Sequence, residues 1–238
     1  MLQSKLSRSL AAAAAVAMLL AVMPMSAAPR QNAKMIKLYL VLLVAGPDRT
    51  QSESVAARIQ AAHLDHLAGL VATGKALAVG PMGDDGRVLG IAVLRATSPE
   101  EARAWAEADP AVKAGRVAVD MLAWWIEDGY LTPTWSTTDF EQLYFGFLVK
   151  GPKWTAEKTP ESDAIQTQHM AHLNKSWEAG KLRLAGPIEN GGAVRGIVIY
   201  RTASMAEAVE WASADPAVKA GRLAVDMHPW YVPRGTLK

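Results

Sequence analysis

Cysteine is absent from the 238 residues, which excludes disulfide staples, thiolate metal sites and a thiol nucleophile. A charge surplus is missing too: 25 Lys and Arg face 23 Asp and Glu. With no basic excess to grip a phosphate backbone, nucleic acid is not an expected partner. No Gly-x-Gly-x-x-Gly follows a strand and no Gly-x-x-x-x-Gly-Lys-Ser/Thr occurs, so nothing supports dinucleotide or nucleoside-triphosphate chemistry. Aromatic residues are only 7% of the chain, yet eight of them are Trp.

A long apolar run is also lacking. The best stretch, Leu10 to Val22, is mostly Ala and falls short of the roughly 20 residues a spanning helix needs. Lys5 and Arg8 precede it; Pro24 and the small residues Ser26, Ala27 and Ala28 follow. That order is the n-region, h-region and small-residue site of a secretory signal. Residues 1–33 are therefore expected to be a signal peptide and short tail. The mature protein is expected to be periplasmic or secreted, with no membrane attachment after cleavage. An uncleaved anchor is the competing reading. Loss of Lys5 and Arg8 leaves 23 basic against 23 acidic groups.

What is present is one unit written twice. HLDHLAGLVATGKALAVGP at His63 returns as HMAHLNKSWEAGKLRLAGP at His169, and WAEADPAVKAGRVAVDM at Trp105 returns as WASADPAVKAGRLAVDM at Trp211. The offset is 106 residues from Ile59 to Ile126, with 33 of 68 positions identical. So long a period implies two domains rather than two turns of a solenoid. The expected division is a first domain over 34–126, a polar linker over 127–142 that Tyr130 and Trp135 could pin to a domain surface, and a second domain over 143–238.

Each copy reads as strand, helix, strand, strand, helix, strand. In the first copy Ile36 to Val44 is a buried strand and Ser54 to Thr73 a helix closed by Gly74. Two hairpin strands flank the Gly83 to Gly86 turn. Ser98-Pro99-Glu100-Glu101 starts a second helix as a capping box, and Arg116 to Ile126 is the last strand. The expected class is α+β: two ferredoxin-like β-α-β-β-α-β units, each an antiparallel sheet with helices on one face. The other face needs cover, either from the second copy within the chain or from a neighbouring chain as a homo-oligomer.

On the first helix, His63 falls about 40° from Ile59, within the arc of Leu64, Leu67, Leu70 and Val71. His66 lies just off its edge. His169 and His172 repeat the pattern. A histidine within an apolar stripe is either a satisfied core residue or a base whose environment tunes it. The i, i+3 pairs also have a metal-ligand spacing, but no third ligand stands at an evident place and a surface role suits the second histidine better. Asp109 and Asp215 precede proline and suit the N-cap of a short turn; a catalytic role would require them to face a histidine. Ser98 and Ser204 are likewise good N-caps. Lys113 with Arg116, and Lys219 with Arg222, recur beside the Asp-Pro turns as solvated charges or as contacts to an anion.

The combined frame resembles a known family. His63 and His169, the Gly-Lys and Gly-Pro pairs at Gly74, Gly80, Gly180 and Gly186, the Ser-x-x-Glu-Ala of Ser98 and Ser204, and the Ala-Asp-Pro of Asp109 and Asp215 look like the YCII-related (YciI-like) domain in both copies. The resemblance implies a dimeric α/β-barrel of ferredoxin-like units. It also implies a pocket in each domain, lined by a histidine and the Asp of Asp-Pro, and one characterised member is a dehydrochlorinase acting on a chlorinated hydroxyhydroquinone. Carried over, the catalytic candidates are His63 with Asp109 and His169 with Asp215, with Ser98 and Ser204 as accessories. The implied chemistry is histidine acting as a general base on a small molecule, lyase-like or isomerase-like, with no cofactor and no metal. The alternatives are a non-catalytic ligand-binding or scaffold module and, third, a haem or metal protein on the same barrel. The signal segment and the fusion of two copies depart from the family pattern.

Overall fold

The computed structural model describes residues 34–189 and 192–238; the expected signal segment lies outside them. The first copy comprises β1 (Met35–Ala45), α1 (Glu53–Ala72), β2 (Ala76–Pro81), β3 (Val88–Leu94), α2 (Pro99–Glu107), α3 (Pro110–Lys113) and β4 (Val117–Glu127). The second repeats it as β5 (Phe140–Lys150), α4 (Pro160–Glu178), β6 (Leu182–Pro187), β7 (Val194–Tyr200), α5 (Met205–Ser213), α6 (Pro216–Lys219) and β8 (Leu223–Pro233). Phe140 begins β5 within the segment read as linker. Helix starts follow their caps: Ser98 accepts from Glu101 N, Ser204 from Glu207 N, and Thr159 with Ser162 closes a capping box on α4. Among the described residues no helix is long and apolar enough to cross a membrane.

Each copy forms a four-stranded antiparallel sheet, ordered β2-β3-β1-β4 and β6-β7-β5-β8. The sheets meet edge to edge. Met82 bridges Trp230 and Trp124 bridges Ile188; Gly83 N donates to Pro229 O and Glu189 N to Ala123 O, both at 2.8 Å. Both seams are thus closed and eight strands form one barrel within a single chain. This disposes of the uncovered sheet face: the residues pointing away from the helices, among them Leu38, Leu40, Phe145, Ile197, Trp124 and Trp230, fill the barrel and are fully buried. Burying one indole removes 150–250 Å² from water, worth about 4–6 kcal/mol before entropy is counted.

The seams require glycine. A Cβ on Gly80 would lie 1.8 Å from the carbonyl oxygen of Tyr231, and one on Gly186 would lie 1.9 Å from that of Trp125. The freed space lets Trp230 Nε1 donate to Gly80 O and Trp124 Nε1 to Gly186 O, each at 3.2 Å. The Gly-Pro pair of one copy and the Trp near the end of the other therefore hold each other across the seam.

Candidate functional site

α1 and α3 pack on the same face of the first sheet, which brings together two residues 46 apart in sequence. His63 Nδ1 lies 2.6 Å from Asp109 Oδ2, and His169 Nδ1 lies 2.6 Å from Asp215 Oδ2. The other oxygen of each aspartate accepts the backbone N–H of Ala111 or Ala217 at 2.8 Å, so the carboxylate caps the short helix and holds the imidazole at once. A carboxylate only accepts, so Nδ1 carries the donated proton. That leaves Nε2 as the lone-pair nitrogen of the neutral ring. Nε2 of either histidine has no hydrogen-bond partner among the described residues.

The other sequence candidates separate from the pair. His66 Nε2 and His172 Nε2 each meet a carbonyl, of Trp105 at 3.0 Å and Trp211 at 2.9 Å. They are therefore donors tying the long helix to the one that follows, rather than surface residues or metal ligands. Among the described residues no group of three His, Asp or Glu side chains could hold a metal. Ser98 and Ser204 act as N-caps and make no hydrogen bond to either His–Asp pair. Arg116 binds Gln51 Oε1 at 2.7 Å, and Arg222 binds the hydroxyl and carbonyl of Thr155, both at 3.1 Å.

The two copies differ in how closely the long helix covers its sheet. α1 buries Leu67, Leu70 and Val71, and Trp135 from the linker packs against the same cluster. In α4 the only buried residues are His169 and Ser176. A cavity of about 1100 Å³ lies between α4 and strands β6 and β7, with His169, Leu173 and Trp177 on its helical wall and Arg183 and Arg195 opposite. Tyr130, from the linker, meets Trp177 in a T-shaped contact with ring centroids 4.9 Å apart. Trp154 completes a rim with Lys150 at 4.1 Å and Arg195 at 5.4 Å from its ring.

Three leucines of the first copy, Leu70, Leu77 and Leu94, become Ser176, Arg183 and Tyr200 in the second. Ser176 is fully buried and donates to His172 O at 2.9 Å. Burial pushes the Tyr200 phenol well above its ordinary value; the Asp215 charge adds to that and a hydrogen bond with Ser176 opposes it. Tyr200 thus stays a neutral phenol beside the pair. Burial, then the like charge of Arg201, lowers Arg183, with Glu141 opposing. Reading the copies for what they share passed over these three positions; their signal lies in what the copies do not share.

The profile of the YCII-related domain matches residues 38–125 and 148–230. None of the curated proteins matches the chain in sequence. Among solved structures, a variant chlorite dismutase from Candidatus Nitrospira defluvii superposes with a TM-score of 0.55 at 11% identity, over 84% of this chain and 91% of that one. A heme-binding protein from Thermus thermophilus gives 0.50 at 13%, over 84% and 92%. At such identities the likeness is one of fold: the paired ferredoxin-like barrel.

Proposed function

The chain belongs to the YCII-related domain family as two tandem copies, and from that premise we propose that its second copy is an acid–base enzyme site for a small molecule. The observation that carries this reading is His169, held through Nδ1 by Asp215 at 2.6 Å, on the wall of a cavity of about 1100 Å³. Neutral His169 takes a proton from an acidic C–H or O–H through Nε2. Asp215 fixes the tautomer and stabilises the imidazolium that forms; such a base contributes about 10²–10⁴-fold. The aromatic and basic walls fit a ligand with a flat apolar body and a negative group. His63 and Asp109 do not line that cavity and in this reading hold the first copy together.

The test is turnover in a substrate screen starting with small acidic phenols and lactones, run on wild type, His169→Asn and His63→Asn. Loss in the first variant and retention in the second is expected. Activity surviving His169→Asn overturns the assignment, and binding without turnover in wild type leaves a ligand-binding module.

A second reading has its own support. One solved neighbour is a heme-binding protein, and an imidazole braced at Nδ1 with Nε2 unengaged among the described residues has the donor an iron would take. His169 would hold the iron, and the group would supply redox chemistry. Titrating hemin into the protein gives a Soret shift abolished by His169→Ala if this holds, and no shift if it does not.

Export belongs to the proposal as well. With its own N-terminus in a bacterial host, the protein is expected in the periplasm, about 25–33 residues shorter by intact mass. A full-length cytosolic product sinks that part.

A further inference from the structure

Arg183 stands where the first copy has Leu77, at the register shift of β6. Its guanidinium makes no hydrogen bond or ion pair among the described residues, and its Nε is buried without a partner. Arg201, the like charge beside it, is engaged with Glu141 at 2.7 Å, and its own Nε is also buried and unpartnered. Glu141 contacts Arg201 alone and acts on Arg183 only through its charge, so one carboxylate faces two cations. One negative charge against two guanidinium groups leaves a positive excess at this half-buried place, which an added anion balances. Arg183 lines the cavity that His169 lines. Of the other cations lining the cavity, Arg222 is hydrogen-bonded to Thr155, Arg195 stacks on Trp154, and Lys158 and Lys238 are exposed to solvent.

We propose that Arg183 is the anion-binding residue of the His169 cavity and that the ligand carries a carboxylate or a phosphate. Arg183 takes that oxyanion through its terminal N–H groups, a planar fork that lysine cannot reproduce. The remainder of the ligand runs along Trp177 and Leu173 toward His169. The inference rests on the proposed site and supplies its substrate class.

The experiment is calorimetric titration of the full chain at low salt with benzoate, inorganic phosphate and benzamide, the last as a neutral isostere of the first. Wild type is expected to bind at least one anion, and which of the two it binds identifies the oxyanion. R183L carries the residue that the first copy tolerates; it is expected to weaken binding by about tenfold or more, and R183K by less. Should R183L misfold by circular dichroism, Arg183→Gln takes its place. Equal binding by wild type and the Arg183 variants, no anion binding by wild type, or benzamide binding as tightly as benzoate overturns the inference. Turnover surviving His169→Asn, with anion binding still lost in R183L, would sink the base and leave the anion site.

Discussion

Asp215 does two jobs with two oxygens, and a single substitution separates them. In Asp215→Asn the amide oxygen can keep capping α6 at Ala217. The amide nitrogen then faces His169 Nδ1, donor against donor, and the ring must move its proton to Nε2 to be satisfied. Nε2 can no longer accept. The expected outcome is a fall in turnover of about 10²–10⁴-fold with a stability loss of about 1–3 kcal/mol, read by kinetics and thermal melting. Asp109→Asn is expected to cost similar stability and no turnover. An Asp215→Asn enzyme at full rate would remove the tautomer argument. The pair was legible only through the family resemblance: the local pattern left each histidine as a core residue or a base and each aspartate as the N-cap before a proline, because spacing alone does not say that the long helix and the short one pack side by side. Arg183 and Tyr200 were not legible as site residues, since each sits in an apolar strand pattern whose period it does not disturb. The N-cap reading of Ser98 and Ser204 needed only the local Ser-x-x-Glu spacing.

At the scale of elements, α1 and α4 have one pattern and different grips. α4 starts better, with a reciprocal capping box at Thr159 and Ser162, whereas Ser52 makes no side-chain cap to α1. Capping is worth about 1 kcal/mol, and each leucine or valine fully buried about 1.5–3 kcal/mol. α1 buries three such residues and α4 none, so burial outweighs the cap. Amides of Leu67 to Val71 are expected to exchange more slowly than those of Leu173 to Trp177 in native-state hydrogen exchange, with a ligand in the cavity slowing the latter group. Equal protection of the two helices would mean that α4 is not held more loosely. The element order was legible from caps, turns and periodicity. The unequal packing was not read from the sequence, although α4 is the more polar helix, with Ser176 in place of Leu70; whether side chains fill the space beneath a helix is set by tertiary packing.

At the scale of the whole molecule, the repeat announced a paired fold, but nothing local explained the Gly-Pro pairs; the carbonyl that would meet a Cβ on Gly80 belongs to Tyr231. Gly80→Ala and Gly186→Ala are each expected to destabilise by several kcal/mol through overpacking at a seam, and a melting point unchanged in either would show that the seam can give. The same seam carries a polar tie that only the folded chain assembles. His228 on β8 reaches Asp84, in the turn of the other copy, through Nδ1 at 2.7 Å, and Asp226 on its own strand through Nε2 at 3.2 Å. Its ring also makes a T-shaped contact with Phe147. Burial lowers its pKa, but the hydrogen bonds and charges of Asp84 and Asp226 outweigh that, and the net direction is up from 6.5. A raised folded-state value means that the protonated tie is fully present below the ordinary histidine pKa and is lost as pH rises through the raised one. The first copy has Leu122 at this position, so His228→Leu is a tolerable replacement. Melting temperature followed from about pH 5.5 to 8.5 is expected to fall for wild type relative to His228→Leu as pH rises, and Asp84→Asn is expected to remove most of that difference. Parallel curves for wild type and His228→Leu would show that the histidine bridges the two copies without stabilising them.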